Sequence, residues 1–352
     1  MYESGRWFWA DLLKILAVFG VVLIHSSAPF LVQYKQAGEL IWWSGNLYNS
    51  ASRWCIPVFI MLSGAFLLRK TQKDSVHTFF KRRVQRIAIP FLIWSVIYYL
   101  WRVYANNEPL PLSSFFTLFL QEPVYYHLWF FYVLIVLYIF APVIGSYLKG
   151  AQRQNVAYFL IVWFLFASVL PVIEEYFGFQ SYFSLGNIAS AFYYVGYFVL
   201  GYLLKDMQLN RKLIVYMSLV FFVSFMFTAY GTFFLTVVEN GGEFDGLLYE
   251  YFSFNVSAMA VALFLMVNRL KAPKHKLGLR VVSETAVCVP GIFLVHAMFI
   301  ALFIRGMLGF TLDQNTIHPL LGIPLFALSV FLSSLVIVYI IRKIPVIKYS
   351  VP

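Results

Sequence analysis

Apolar residues run along most of the chain in stretches of roughly 20, the length that spans the hydrocarbon core of a bilayer. About ten candidate membrane helices follow from this pattern. They fall near 8–31, 44–68, 87–105, 127–147, 155–174, 188–204, 212–236, 249–267, 286–308 and 320–341. No connecting segment exceeds about two dozen residues on these bounds. The expected fold is therefore all-α: one polytopic integral membrane domain over residues 1–352, without an added extracytoplasmic domain. The run from Trp7 to Leu31 is too long for the apolar part of a signal peptide and contains Asp11 and Lys14, so it reads as an uncleaved first helix.

Composition agrees with the pattern. Hydrophobic residues make up 61% of the 352 positions and charged residues only 12%, against about a quarter in a soluble domain. The aromatic share, 20%, suits lipid-facing surfaces and interfacial belts. Cys55 and Cys288 both lie inside apolar runs, which leaves no disulfide framework and no CxxC metal site.

The net charge of +11 would suggest nucleic acid in a soluble chain. Here the basic residues sit in short loops, so charge reads as topology and no nucleic-acid partner is expected. One set of loops holds Arg6; Arg69, Lys70, Lys73, Lys81, Arg82, Arg83 and Arg86; Lys149 and Arg153; Lys205, Arg211 and Lys212; Arg269, Lys271, Lys274, Lys276 and Arg280; and Arg342, Lys343 and Lys348. The opposite loops hold Lys35 and nine carboxylates, among them Glu108, Glu122, Glu243 and Asp313. Successive loops alternate, so both termini are expected to be cytoplasmic, in a cell (plasma or inner) membrane.

Ionisable groups inside membrane helices are costly and are functional candidates by default. Lys14 and His25 are eleven residues apart, about three full turns, so they share a helix face roughly 16 Å apart along the axis. Asp11 lies one turn before Lys14 and can pair with it. The first helix thus offers a polar stripe from one membrane surface towards the opposite half. Two readings stand: a snorkelling Lys14 beside Asp11 with a hydrogen-bonded His25, or a ligand path with His25 as a base at its end. Arg53 falls in the second helix at about the depth of His25. It would serve either as an oxyanion or acceptor contact or as a structural tie to a loop carboxylate such as Glu122.

Arg102 and Arg305 lie near helix ends and can snorkel. His77, His275 and His318 fall in loops. His127 opens the fourth helix at the outer surface, and His296 lies mid-way along the ninth. Each is either a packing histidine or part of a site. Arg83 and Arg86, in the basic loop before the third helix, share a helix face and could grip a phosphate. No GxSxG elbow, Walker A loop, HExxH or Rossmann fingerprint occurs, and Asn255-Val256-Ser257 is a glycosylation sequon inside a helix.

Four stretches carry a family resemblance. Asp11-x-x-Lys14, ten intervening residues and then His25 is similar to the first-helix signature of the membrane-bound acyltransferase 3 family, with Lys14 where arginine is more usual. Asn49 to Arg53 with Pro57 to Gly64 resembles its second helix, Pro123 to Phe131 its fourth and Gly291 to His296 its ninth. The resemblance covers essentially the whole chain. It implies an O-acyltransferase that moves an acyl group, most often acetyl, from cytoplasmic acyl-coenzyme A to a hydroxyl of a surface glycan or its lipid-linked precursor. Acetyl-coenzyme A would be a donor substrate rather than a permanently bound cofactor. His25 would be catalytic base or acyl relay, Lys14 its basic partner, and Arg83 and Arg86 contacts for the coenzyme phosphates. Asp11, Arg53, His127 and His296 complete the candidate substrate-binding set. The same intramembrane charges would also serve a transporter or flippase of a lipid-linked sugar, or a non-catalytic subunit of a polysaccharide synthesis machine.

Overall fold

The computed structural model describes residues 7–179, 187–207, 209–313 and 315–351. Arg6 lies outside the described residues. Among these there is no strand, and nine helices are long and apolar enough to cross a membrane. The chain is an all-α, polytopic membrane protein.

In chain order the helices are α1 (Phe8–Leu31), α2 (Glu39–Thr71), α3 (Val76–Tyr104), α4 (Trp129–Gly150), α5 (Arg153–Phe177), the short α6 (Val195–Leu204), α7 (Arg211–Glu239), α8 (Phe254–Val267), α9 (Lys276–Ile304) and α10 (Pro319–Ile341). The sixth expected span is the exception to full length. A 3-10 stretch, Asn187–Tyr194, leads into α6, whose ten residues reach only about 15 Å. The basic stretch Lys81 to Arg86, expected as a loop, is helical. Ser75 caps α3 by accepting the Thr78 amide at 3.3 Å, and the helix runs on through the arginines.

The first helix is the centre of the domain. It packs against both halves of α2 and against α9 and α10, with Leu13, Ala17, Val18 and Val22 fully buried. Polar side chains tie α1 to α2 near its far end: the Asn49 amide donates to the Ile24 carbonyl at 3.1 Å and to Ser27 Oγ at 3.0 Å. By contrast α5 and α7 turn most of their large apolar side chains outward, as lipid-facing helices do.

Backbones approach most closely where α6 crosses α2. A methyl group on Gly64 would overlap the Phe198 carbonyl, and one on Gly201 would overlap the Met61 carbonyl. Small residues permit such contacts, and close packing is what holds helices together where lipid is as apolar as the side chains.

Prolines interrupt several helices at defined places. A proline lacks the N–H that would bond the carbonyl four residues back, and its ring crowds that carbonyl. In α2, Pro57 acts on Arg53, and the helix breaks there into Glu39–Ser52 and Cys55–Thr71. In α1, Pro29 releases the His25 carbonyl. In α3, a π-turn over Val84–Ala88 bonds the Ile89 amide to the Val84 carbonyl, five residues back, and Pro90 follows, releasing the Arg86 carbonyl. In α4, Pro142 releases Tyr138, and in α9, Pro290 releases Ala286.

The α2–α6 crossing makes a simple prediction. Gly64→Ala and Gly201→Ala should each lower stability by about 1–3 kcal/mol through overpacking. Gly150→Ala, where an added Cβ meets nothing within 4 Å, should leave the unfolding temperature in detergent near wild type. Thermal unfolding of the three variants checks this.

Candidate active site

Basic residues that the sequence separates meet at one end of the bundle. Lys14 comes from α1, Lys70 from α2, Arg83 and Arg86 from α3, and Arg342 and Lys348 from the segment after α10. All six line a cavity of about 1110 Å³, and Asp11 is the one acidic residue in its lining among the described residues. The Lys14 ammonium donates to Asp11 at 3.0 Å, with Asp11 buried and Lys14 partly open. The π-turn in α3 helps bring Arg83, Gln85, Arg86 and Ile87 to the same wall. Arg83 stacks over the Phe79 ring, 5.2 Å from its centroid, and its Nε is buried without a hydrogen-bond partner.

Further in, the walls become apolar. Phe59, Leu62, Phe66, Phe130, Phe131 and Val289 line this part, with the Tyr138 hydroxyl donating to Ser63 Oγ at 3.2 Å as a polar exception. The cavity ends against Phe293. That ring packs 5.2 Å from Phe130 and 5.8 Å from Phe131.

Behind Phe293 lies a cluster of three histidines, none of which lines the cavity directly. The His296 ring is 5.8 Å from Phe293, 5.3 Å from His25 in a stacked arrangement and 5.0 Å from His127 edge-on. His296 Nδ1 lies 2.7 Å from the Phe293 carbonyl. A carbonyl only accepts, so Nδ1 carries the proton and Nε2 keeps its lone pair. That Nε2 is buried without a hydrogen-bond partner.

His127 differs in place from the sequence reading. It sits in the turn before α4, which begins at Trp129, and it is buried rather than at the outer surface. Both of its ring nitrogens are buried without a well-formed hydrogen bond. The Leu294 carbonyl, which faces the ring, is taken by the Tyr98 hydroxyl at 2.7 Å.

His25 is half-buried, with the Tyr126 ring 4.7 Å away on its other side. Arg53 lies within electrostatic reach of it. The break in α2 turns the Arg53 guanidinium over the Tyr249 ring, 4.3 Å from the centroid, and towards Tyr251 at 5.4 Å. The carboxylate that faces Arg53 is Glu250, not Glu122. This happens because the stretch before α8 is folded into the domain by its own polar bonds. The Tyr249 hydroxyl donates to Asn46, Tyr197 donates to the Tyr251 carbonyl at 2.7 Å, and Ser253 donates to the Leu247 carbonyl at 3.0 Å.

Residues placed aside at the sequence level find structural roles. Arg102 donates to Glu108 at 2.8 Å and to the Val124 carbonyl at 3.1 Å, and Arg305 to the Ala105 carbonyl at 3.0 Å. His275 and His318 accept backbone amides as the caps of α9 and α10. Asn255 is buried in α8 and donates to Thr228 and to the Leu248 carbonyl. Three site elements escaped the sequence reading: Phe293 as the cavity's end wall, Tyr126 beside His25, and the Tyr249–Tyr251 platform for Arg53. Pro57 and Pro290 were the available signals for where the helices would open.

One comparison bears on this arrangement: a family model for an acyltransferase domain, acyltransferase 3, matches residues 7–343. The chain belongs to the acyltransferase 3 family. No curated protein and no solved structure matches it. The protein is thus a multi-pass membrane acyltransferase.

Phe293 is the partition between the cavity and the histidines of this acyltransferase. Phe293→Ala should let diethylpyrocarbonate reach His25, His127 and His296 more quickly through the cavity, read as carbethoxylation rates by mass spectrometry. Unchanged labelling of all three would contradict the partition.

Proposed function

We propose that the protein is an O-acyltransferase that takes an acyl group, acetyl in the first instance, from cytoplasmic acyl-coenzyme A and gives it to a hydroxyl of a cell-surface glycan or its lipid-linked precursor. It would do so in the plasma or inner membrane and within this single membrane domain. The sequence stretches quoted above resemble an O-acetyltransferase that modifies enterobacterial common antigen, which makes such a glycan the first acceptor to test.

The observation that carries this reading is the shape and chemistry of the cavity. It has six basic groups and one paired carboxylate among its charged lining, a long apolar interior, and an end wall 5.8 Å from His296. A coenzyme ester has the complementary layout: a polyanionic nucleotide, a long and largely neutral pantetheine arm, and a thioester at the tip. Arginine forks suit the phosphates, which assigns Arg83 and Arg86 to the donor, with Lys14 and Asp11 flanking the arm.

In this reading the thioester reaches past Phe293 to the histidine cluster. The acceptor oxygen forms the new bond to the acyl carbon while His25 takes the hydroxyl proton. The carbon–sulfur bond breaks, and the proton ends on the coenzyme thiol. His296, with Nε2 unprotonated, and His127 contact the reacting groups from the second side. Arg53, close to His25 and with its buried Nε lacking a hydrogen-bond partner, would steady negative charge on the thioester oxygen. The acceptor would enter from the side of Glu250 and the aromatic rings around it.

The test uses purified protein with radiolabelled acetyl-coenzyme A and an extract of envelope glycans or lipid-linked sugars. Label should move to the glycan. His25→Ala should reduce transfer by at least about a hundredfold with unchanged folding. Arg83→Ala and Arg86→Ala should raise the donor KM more than they lower kcat, since phosphate contacts are alike in ground and transition states. Full transfer by His25→Ala would remove His25 as base, and a protein that neither hydrolyses nor transfers acetyl from the coenzyme would overturn the proposal as a whole.

A further inference from the structure

The stretch that follows α10 is folded back into the domain. Beyond the helix the backbone makes a 3-10 turn, Ile347–Ser350, and then inserts. Val351 is fully buried. It packs on α9 at Gly291, where an added Cβ would come within 3.0 Å of the Val351 Cβ. Two donors hold its backbone. Trp94 Nε1 of α3 donates to the Ser350 carbonyl at 2.9 Å, and the Arg342 guanidinium donates to the Val351 carbonyl at 3.1 Å. A segment latched by a buried apolar side chain and two hydrogen bonds from different elements forms a built wall, and Lys348 and Tyr349 of that wall line the large cavity.

We propose that this strap is a phosphate-binding element of the donor site, and that Lys348 binds a phosphate of the coenzyme alongside Arg83 and Arg86. The proposal rests on the donor reading above. Its basis is the distribution of charge around the cavity. Lys14 is taken up by Asp11 and Arg342 by the Val351 carbonyl. Lys348 makes no ion pair among the described residues and sits beside the Tyr349 ring, 5.3 Å from its centroid. It thus supplies a cation without a carboxylate partner, on a strap that Trp94 ties to α3. A coenzyme with phosphates at two separated positions needs cations on more than one element, and the strap adds Lys348 to Lys70 of α2 and to Arg83 and Arg86 of α3.

A charge-assisted contact of this kind is worth enough that its removal should weaken coenzyme A binding about tenfold. The test measures binding of coenzyme A, and of S-acetyl-pantetheine (which lacks the nucleotide phosphates), to the full chain in nanodiscs. Lys348→Ala should bind coenzyme A about tenfold more weakly, keep its affinity for the pantetheine and unfold at the wild-type temperature. Lys348→Arg should restore binding. Val351→Asp, which unlatches the strap while leaving Lys348 in place, should reproduce the loss.

A lipid headgroup offers the same phosphate chemistry, so the comparison is made in phosphatidylcholine nanodiscs and in discs with added anionic lipid. The difference should persist in phosphatidylcholine alone; if it appears only with anionic lipid, Lys348 serves the headgroup and the assignment falls. Equal coenzyme affinity of Lys348→Ala and wild type overturns the role of the strap and leaves the donor site standing. Absence of coenzyme binding by the wild type overturns both.

Discussion

Inside a bilayer a backbone carbonyl that leaves its helix has no water to turn to, so irregular backbone survives only where protein surrounds it. Every part of the candidate site obeys that constraint. Prolines release the carbonyls of His25, Arg53, Arg86, Tyr138 and Ala286, and each of these residues belongs to the cavity lining or to the group around His25. The bundle is irregular where it encloses the site, and the lipid-facing α5 and α7 carry π-turns of their own, over Leu165–Val169 and Phe234–Glu239. The site thus lies where several of these helix breaks converge.

The tight packing elsewhere supports those breaks. The α2–α6 crossing, with Gly64 and Gly201 against opposing carbonyls, fixes the inner half of α2 independently of its outer half. The segment before α8 is anchored by Tyr249, Tyr197 and Ser253, so Tyr249 and Tyr251 present rigid ring faces to Arg53. A guanidinium there keeps its charge in low dielectric because aromatic faces and the Glu250 carboxylate offset part of its desolvation.

Much of this was legible in the sequence, and the remainder has a common cause. Hydropathy alone locates the helices, since runs of that length have few other uses. It overstates α6, because an apolar 188–204 reads as a full span while the backbone enters it as a 3-10 stretch. The helix period correctly puts Lys14 and His25 on α1, and the pairing of Lys14 with Asp11 follows from their spacing. The partner of Arg53 was not legible, because Glu250 and the two tyrosines are about two hundred residues away and reach it through a tertiary polar network. The same applies to Phe293 as a partition, and to Lys348, which in sequence is one more basic residue near an end. Spacing reports neighbours on one helix, and these contacts cross between helices.

The central position of α1 also bears on how the protein is made. A ribosome delivers this helix first, yet its covering partners α9 and α10 are the last two to emerge. For most of synthesis the helix that holds Asp11, Lys14 and His25 must reside in lipid with an incomplete shell. The Asp11–Lys14 pair suits that interval, since two mutually neutralised groups enter hydrocarbon at less cost than two separate charges. Closure of the cavity and of the histidine cluster is thus deferred to the end of translation, and chains cut short before α9 lack both Phe293 and His296.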